Sequence, residues 1–219
     1  MPWRRLLELG LVVFFPPLLT LLGVRLAFTE AFLELLYKGV NLPPDPMPYE
    51  LRLSVAKLGL RSVLSEEGMR EFKNSGLFNY REVKHMEDVK NLLKVSFGLL
   101  YVGLPAWLLG LAVLKDLRRV GRVLFLGGLL LELLVVLVIF LSLTSYKWLF
   151  EAFHNLFFDP YSWRFREEDM LLRVYPMDLW YKATLYTALM VFVFGAVFQA
   201  VGFLLWRSGA KSVEGTHPR

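Results

Sequence analysis

The chain of 219 residues is 56% hydrophobic, only 21% charged, and carries a formal net charge of +5, with a mean hydropathy of +0.47. Ordinary soluble domains are nearer half apolar with about a quarter charged, so this composition excludes both a disordered chain and a plain soluble enzyme. The absence of cysteine excludes disulfides, thiolate metal sites and thioester intermediates.

A bilayer core needs roughly 20 mostly apolar residues per helical span, and four stretches qualify. The first, residues 6–28, contains Pro16-Pro17, which a membrane helix tolerates as a kink, and has Glu8 and Arg25 near its ends. It is too long for a cleavable signal peptide and no small-x-small site follows it, so it is expected to be retained as an anchor. The next two spans are residues 95–114 and 123–144, the latter interrupted by Glu132, a carboxylate that needs an internal partner or a proton at that depth. The fourth is residues 183–206. These assignments predict an all-α integral membrane protein, a single membrane domain over residues 1–219 with four transmembrane helices.

Basic residues set the expected orientation. Arg4 and Arg5 precede the first span. Lys115, Arg118, Arg119 and Arg122 fill the short loop between spans two and three, and Arg207, Lys211 and Arg219 follow the fourth. All three groups fall on one side, which places both termini in the cytoplasm of a multi-pass protein of the cell membrane. Residues 29–94 then form an extracellular helical cap and residues 145–182 an extracellular aromatic-rich segment. The basic residues form no soluble patch, so no nucleic-acid partner is expected.

Within the cap, NLPPDPMP is a turn-rich break, after which Leu51, Val55 and Leu58 recur at helical spacing. A second break at Ser75-Gly76 precedes Asn79-Tyr80-Arg81-Glu82, which reads as a capping box. Val83, Met86, Val89 and Leu93 then mark one face of a helix running on into the second span, with His85 on the adjacent face and Glu82 and Asp88 within reach of it. The segment SYKWLFEAFHNLFFDPYSWRF is dominated by aromatics. Trp and Tyr suit an interfacial belt, but so many Phe residues point to a re-entrant or interfacial helix lining an apolar site at the membrane surface.

Three histidines are present. His217 lies in the polar tail and is expected to be idle. His85 and His154 each lie in an outer segment close to a span, where two imidazoles suit general acid–base catalysis; two interface histidines making ordinary hydrogen bonds are the alternative. A metal site completed by Glu82, Asp88 or Asp159 is a third reading, but no H-x-x-x-H or H-E-x-x-H spacing occurs. No metal and no cofactor are expected. Serine hydrolase chemistry lacks a G-x-S-x-G, leaving Ser75 and Ser162 unactivated.

The blocks NYREVKHMEDVKNLL, FEAFHNLFFDPYSWRF and LLRVYPMDLWYKA, on a four-span plan with a large first outer segment, resemble the bacterial lipoprotein intramolecular transacylase family, Lit. The resemblance implies that His85 and His154 are the catalytic residues. Tyr80, Arg81, Met86 and Asp88 around the first, and Phe153, Phe157, Phe158 and Trp163 around the second, are then expected to bind substrate, with Arg81, Tyr80 or a backbone N–H at the Asn79 cap holding the oxyanion. It further implies an acyltransferase whose partners are diacylglyceryl-modified lipoproteins and membrane lipids. The sn-2 acyl chain would move to the α-amino group of the N-terminal cysteine, giving the lyso form without an acyl-enzyme. The rival expectations are a non-catalytic membrane accessory protein that holds lipid or lipoprotein, and a histidine-dependent lipid or lipoprotein hydrolase.

Overall fold

The computed structural model describes the backbone of residues 2–214 and the side chains of residues 2–208; His217 and the tail bases Lys211 and Arg219 lie outside the described side chains. Helices account for all the regular structure among the described residues: α1 (Pro2–Ala27), α2 (Glu30–Gly39), α3 (Tyr49–Leu64), α4 (Glu66–Asn74), α5 (Tyr80–Leu114), α6 (Leu117–Phe157), α7 (Met170–Val174) and α8 (Met177–Glu214). Four of them, α1, α5, α6 and α8, are long and apolar enough to cross a membrane, and they carry the four apolar stretches, with Phe28 one residue beyond the end of α1. Helix α1 continues through Pro16-Pro17. The chain divides into two compact units, which alternate along the sequence.

The first unit comprises residues 1–23, 99–139 and 188–219. Leu11, Phe15, Leu19, Trp107, Leu131 and Val191 form its buried centre. Apolar side chains gain little by leaving lipid for one another, so close backbone approach and polar pairing carry the association. Both are present. At Gly121 of α6 and Gly202 of α8 the two backbones are so close that a Cβ on either would lie 2.7 Å from the other's carbonyl oxygen. The Trp107 indole N–H donates to the Leu11 carbonyl at 2.8 Å. Glu8 binds Arg119 at 2.8 Å and also pairs with Arg122. Glu132 faces Gln199, and with the amide turned so that its nitrogen meets the carboxylate it donates to both oxygens, at 3.0 and 3.1 Å.

The second unit comprises residues 24–98 and 140–187. Its core gathers Tyr37, Val55, Phe72, Met86, Val174 and Leu179. Leu51, which shares the helical spacing of Val55 and Leu58, is exposed, so the apolar stripe of α3 starts one turn later than its periodicity suggested. Side-chain caps fix where helices begin: Thr29 accepts from the Phe32 N–H at the start of α2, and Ser65 from the Gly68 N–H at the start of α4. The short α7 is tied down by polar groups. Tyr37 donates to the Val174 carbonyl at 2.5 Å, the buried Arg52 donates to the Arg173 carbonyl at 2.6 Å, and Arg173 forms a two-pronged pair with Asp45 at 2.8 Å. Tyr175 donates to the Ala56 carbonyl, beside Gly59, where a Cβ would lie 2.6 Å from the Tyr175 oxygen.

Helix α6 is interrupted at Ser145, whose backbone is non-helical (φ −153°, ψ 45°). That break separates the apolar stretch from the aromatic turns that follow, so the aromatic helix can point its side chains independently of the span before it.

Candidate functional site

The start of α5 sets the position of His85. The Asn79 side-chain oxygen accepts from the N–H groups of Arg81 and Glu82 at 3.0 and 3.1 Å, while Glu82 accepts from the Asn79 N–H at 2.7 Å, which is the reciprocal arrangement of a capping box. The second oxygen of Glu82 accepts from the Leu171 N–H at 2.7 Å. Glu82 is 1% exposed, and one carboxylate therefore joins the first turn of α5 to the first turn of α7. His85 follows three residues later, buried on the same helix. Neither expected carboxylate bonds it: each oxygen of Glu82 accepts from a backbone N–H, and Asp88 pairs with Lys84 at 2.8 Å.

The last turns of α6 and the loop of residues 158–169 supply the rest. The His85 and His154 rings face each other with centroids 5.9 Å apart and planes 25° from parallel. Phe158 and Phe165 meet the His85 ring edge-on at 4.9 and 5.5 Å. Phe150 lies 4.0 Å and Trp163 4.9 Å from the His154 ring. His154 Nδ1 lies 2.8 Å from the Phe150 carbonyl oxygen. A carbonyl can only accept, so Nδ1 carries the proton and Nε2 presents a lone pair. By contrast, His85 Nδ1 and the Trp163 indole N–H are buried with no hydrogen-bond partner.

Both histidines lie outside the apolar stretches of residues 95–114 and 123–144. Burial, reinforced by the neighbouring His154 and opposed by Asp88, pushes the His85 pKa down to about 4. Burial likewise lowers that of His154, against a raising influence from its bond to the Phe150 carbonyl. Both shifts favour the neutral form of the pair at pH 7.

The other expected substrate residues are distributed differently. Phe158 and Trp163 are buried against the histidines, whereas Phe153 and Phe157 are half-exposed, at the outer edge of the same aromatic group. Met86 packs into the unit's core. Tyr80 is 83% exposed, and Arg81 lies 3.7 Å from Asp169. Two ring neighbours were missed as site residues. Phe150 precedes His154 by four residues, a helical spacing visible in the sequence, while Phe165 lies in a loop that no periodicity marks. Among the described residues no group of three or more His, Cys, Asp or Glu gathers as a metal site, and Asp159 instead caps its own turn by accepting from the Tyr161 N–H.

A multi-pass helical membrane protein with two facing neutral imidazoles walled by aromatic rings has the makings of an enzyme that moves protons on an apolar substrate. Comparison with known proteins narrows this. The sequence profile of the family described as "Lipoprotein intramolecular transacylase Lit" matches residues 9–180, and the chain belongs to that family of acyltransferases. A protein of Aquifex aeolicus (strain VF5), described as an uncharacterized protein, is 42% identical over 220 residues, covering 97% of this chain and 98% of that one. The fold is also that of the membrane-integral lipoprotein intramolecular transacylase Lit from Bacillus cereus: the TM-score is 0.67 at 17% identity, over 98% of this chain and 99% of that structure's.

Proposed function

We propose that this chain transfers the sn-2 acyl group of a diacylglyceryl-modified lipoprotein to the α-amino group of the same molecule's N-terminal cysteine, with His85 and His154 handling the protons. The observation that carries the reading is the pair of facing imidazoles, one with its Nδ1–H fixed on the Phe150 carbonyl. Attack of the amine on the sn-2 carbonyl closes a ring of about eight atoms, a floppy path for which orientation is a large part of the barrier. Phe158 and Trp163, buried beside the histidines, are suited to supply it. Ester to amide is downhill, so the step needs no ATP and no enzyme nucleophile, which accords with a chain that lacks cysteine.

The proton balance suits two bases. At neutral pH the substrate amine, with a pKa of roughly 7.7–8, is largely an ammonium. Two protons must leave nitrogen before it is an amide; one goes to the departing glyceryl oxygen and the other to water. His85 takes the first and returns it to the glyceryl oxygen. His154, through the free lone pair of Nε2, takes the second as the C–N bond forms, and its imidazolium is steadied by the Phe150 carbonyl until the proton leaves. The basic groups at Arg4-Arg5, in the loop of residues 115–122 and at Arg207 support an orientation with both termini in the cytoplasm, in which the histidines would work at the extracellular face among membrane lipids.

Mass spectrometry of an N-terminal lipopeptide tests the reaction. Cells that express the chain should yield the lyso form with an N-acyl group, and cells without it the diacylglyceryl form. Mixing an acyl-labelled substrate with an unlabelled one of distinguishable peptide should give no crossed products. Crossed amides would mean an acyl-enzyme, and free fatty acid in place of amide would mean a hydrolase.

A further inference from the structure

Of the six tryptophans, Trp107 and Trp163 are buried, at 6% and 9% exposure. An indole N–H can only donate, and when buried it ordinarily finds an acceptor. Trp107 does, at the Leu11 carbonyl. Trp163 does not. An unpaired buried donor costs free energy and calls for an explanation. Three neighbours fix this ring: His154 at 4.9 Å, Phe150 edge-on at 6.2 Å, and the Arg164 guanidinium 5.2 Å from its centroid. The cation over the ring draws electron density from it and makes the N–H a better donor.

None of the groups that the sequence offered for the oxyanion is both buried and unpaired. The Asn79 N–H is bonded to Glu82 and the Asn79 side-chain oxygen to two backbone N–H groups. Arg81 faces Asp169 and Tyr80 faces away from any burial. Building on the transacylase reading, we propose that the Trp163 indole N–H is the donor that holds the sn-2 carbonyl oxygen as negative charge builds on it.

When the amine nitrogen bonds to the carbonyl carbon, the C=O π pair moves to oxygen, and the indole N–H bond to that oxygen shortens and strengthens. When the intermediate collapses, the pair returns to the carbonyl. The bond to the glyceryl oxygen then breaks with its electrons, and that oxygen takes the proton from His85. A preorganised donor in a site walled off from water gains strength as charge develops, and removing one such donor typically costs about 10²–10³-fold in rate.

Trp163→Phe keeps an aromatic ring and deletes the donor. The expected result is a kcat about 10²-fold lower with KM nearly unchanged, together with unchanged affinity for a non-reactive analogue bearing an sn-2 ether. A phosphonate analogue that mimics the tetrahedral oxyanion should bind the wild-type protein more tightly than the ether, and the variant should lose that preference. Wild-type kcat in the variant, or equal loss of ether and phosphonate affinity, would overturn the proposal. In the unmutated protein labelled with 15N-tryptophan, one indole N–H resonance should move downfield when the phosphonate binds; no movement would overturn the proposal whether or not the variant folds. Failure of the wild-type protein to form any N-acyl product would instead sink the transacylase reading.

Discussion

Buried polar atoms are mostly paired in both units, and the exceptions fall differently. In the first, the indole of Trp107, the carboxylate of Glu8 and the carboxylate of Glu132 all have partners within the chain. In the second, His85 Nδ1 and the Trp163 N–H are buried and bonded to nothing. Leaving such a group unpaired costs about 1–3 kcal/mol, so a fold retains it where something outside the chain completes it. The one unpaired nitrogen in the first unit, Nε of Arg4, stands alone near the start of α1, whereas the two in the second unit both flank His154. The unpaired atoms of the second unit thus cluster where the proposed site lies.

Replacing the histidines probes the contrast most severely. His85→Ala and His154→Ala should each lower lyso-lipoprotein formation by about 10²–10⁴-fold, the range of general acid–base contributions, while expression and thermal unfolding temperature stay near wild type. A variant that keeps its activity would return that histidine to an ordinary packing role.

Removing the carboxylate that joins α5 to α7 comes next. Glu82→Ala should destabilise the protein by about 2 kcal/mol, since hydrogen bonds to a charged group contribute about 1.5–3 kcal/mol. It should also lower activity, because the start of α5 and the segment around Leu171 would no longer be held together. A thermal melt alongside single-turnover rates separates the two effects; full activity per folded molecule would show that His85 is positioned without it.

Acid sharpens the same difference. Protonated histidines have no lone pair to offer, and burial lowers both pKa values, that of His85 to about 4. The acid limb of kcat/KM should therefore fall below pH 6.5, the ordinary imidazole value. Stability should decline over the same window, since the unfolded chain binds protons from pH 6.5 downward that folded His85 refuses until about pH 4. A limb at pH 6.5 or above would mean that the imidazoles are well solvated.

The smallest effect belongs to the scaffold. Gln199→Leu strips Glu132 of its amide and should cost about 1 kcal/mol, the scale of hydrogen bonds between membrane helices, with unchanged turnover per folded molecule. A loss of turnover would place Glu132 in the proton path.

How much of this was visible in the sequence depends on the range of the interaction. The four apolar helices and the capping box at Asn79–Glu82 rest on local composition and spacing, and both were legible there. The partners of Glu8, Glu132 and Glu82 lie 111, 67 and 89 positions away, and no periodicity connects such distances. Glu82 shows the failure most clearly: its place one turn before His85 suggested a bond to the imidazole, but its second oxygen was already claimed by an amide 89 residues on. Phe165 was hidden for another reason. It lies in a loop, where nothing in the spacing says which ring turns inward.

That shared carboxylate also bears on the order of assembly. The capping half of its work is local and can form as soon as α5 nucleates. The Leu171 half closes a loop of 89 residues, whose entropic cost grows with the logarithm of length, so it belongs to the later stages of folding and is exposed to early local opening. The amide proton of Leu171 thereby becomes a clock for the site: its exchange with deuterium measures how often α7 lets go of α5, independently of how often the spans themselves unfold.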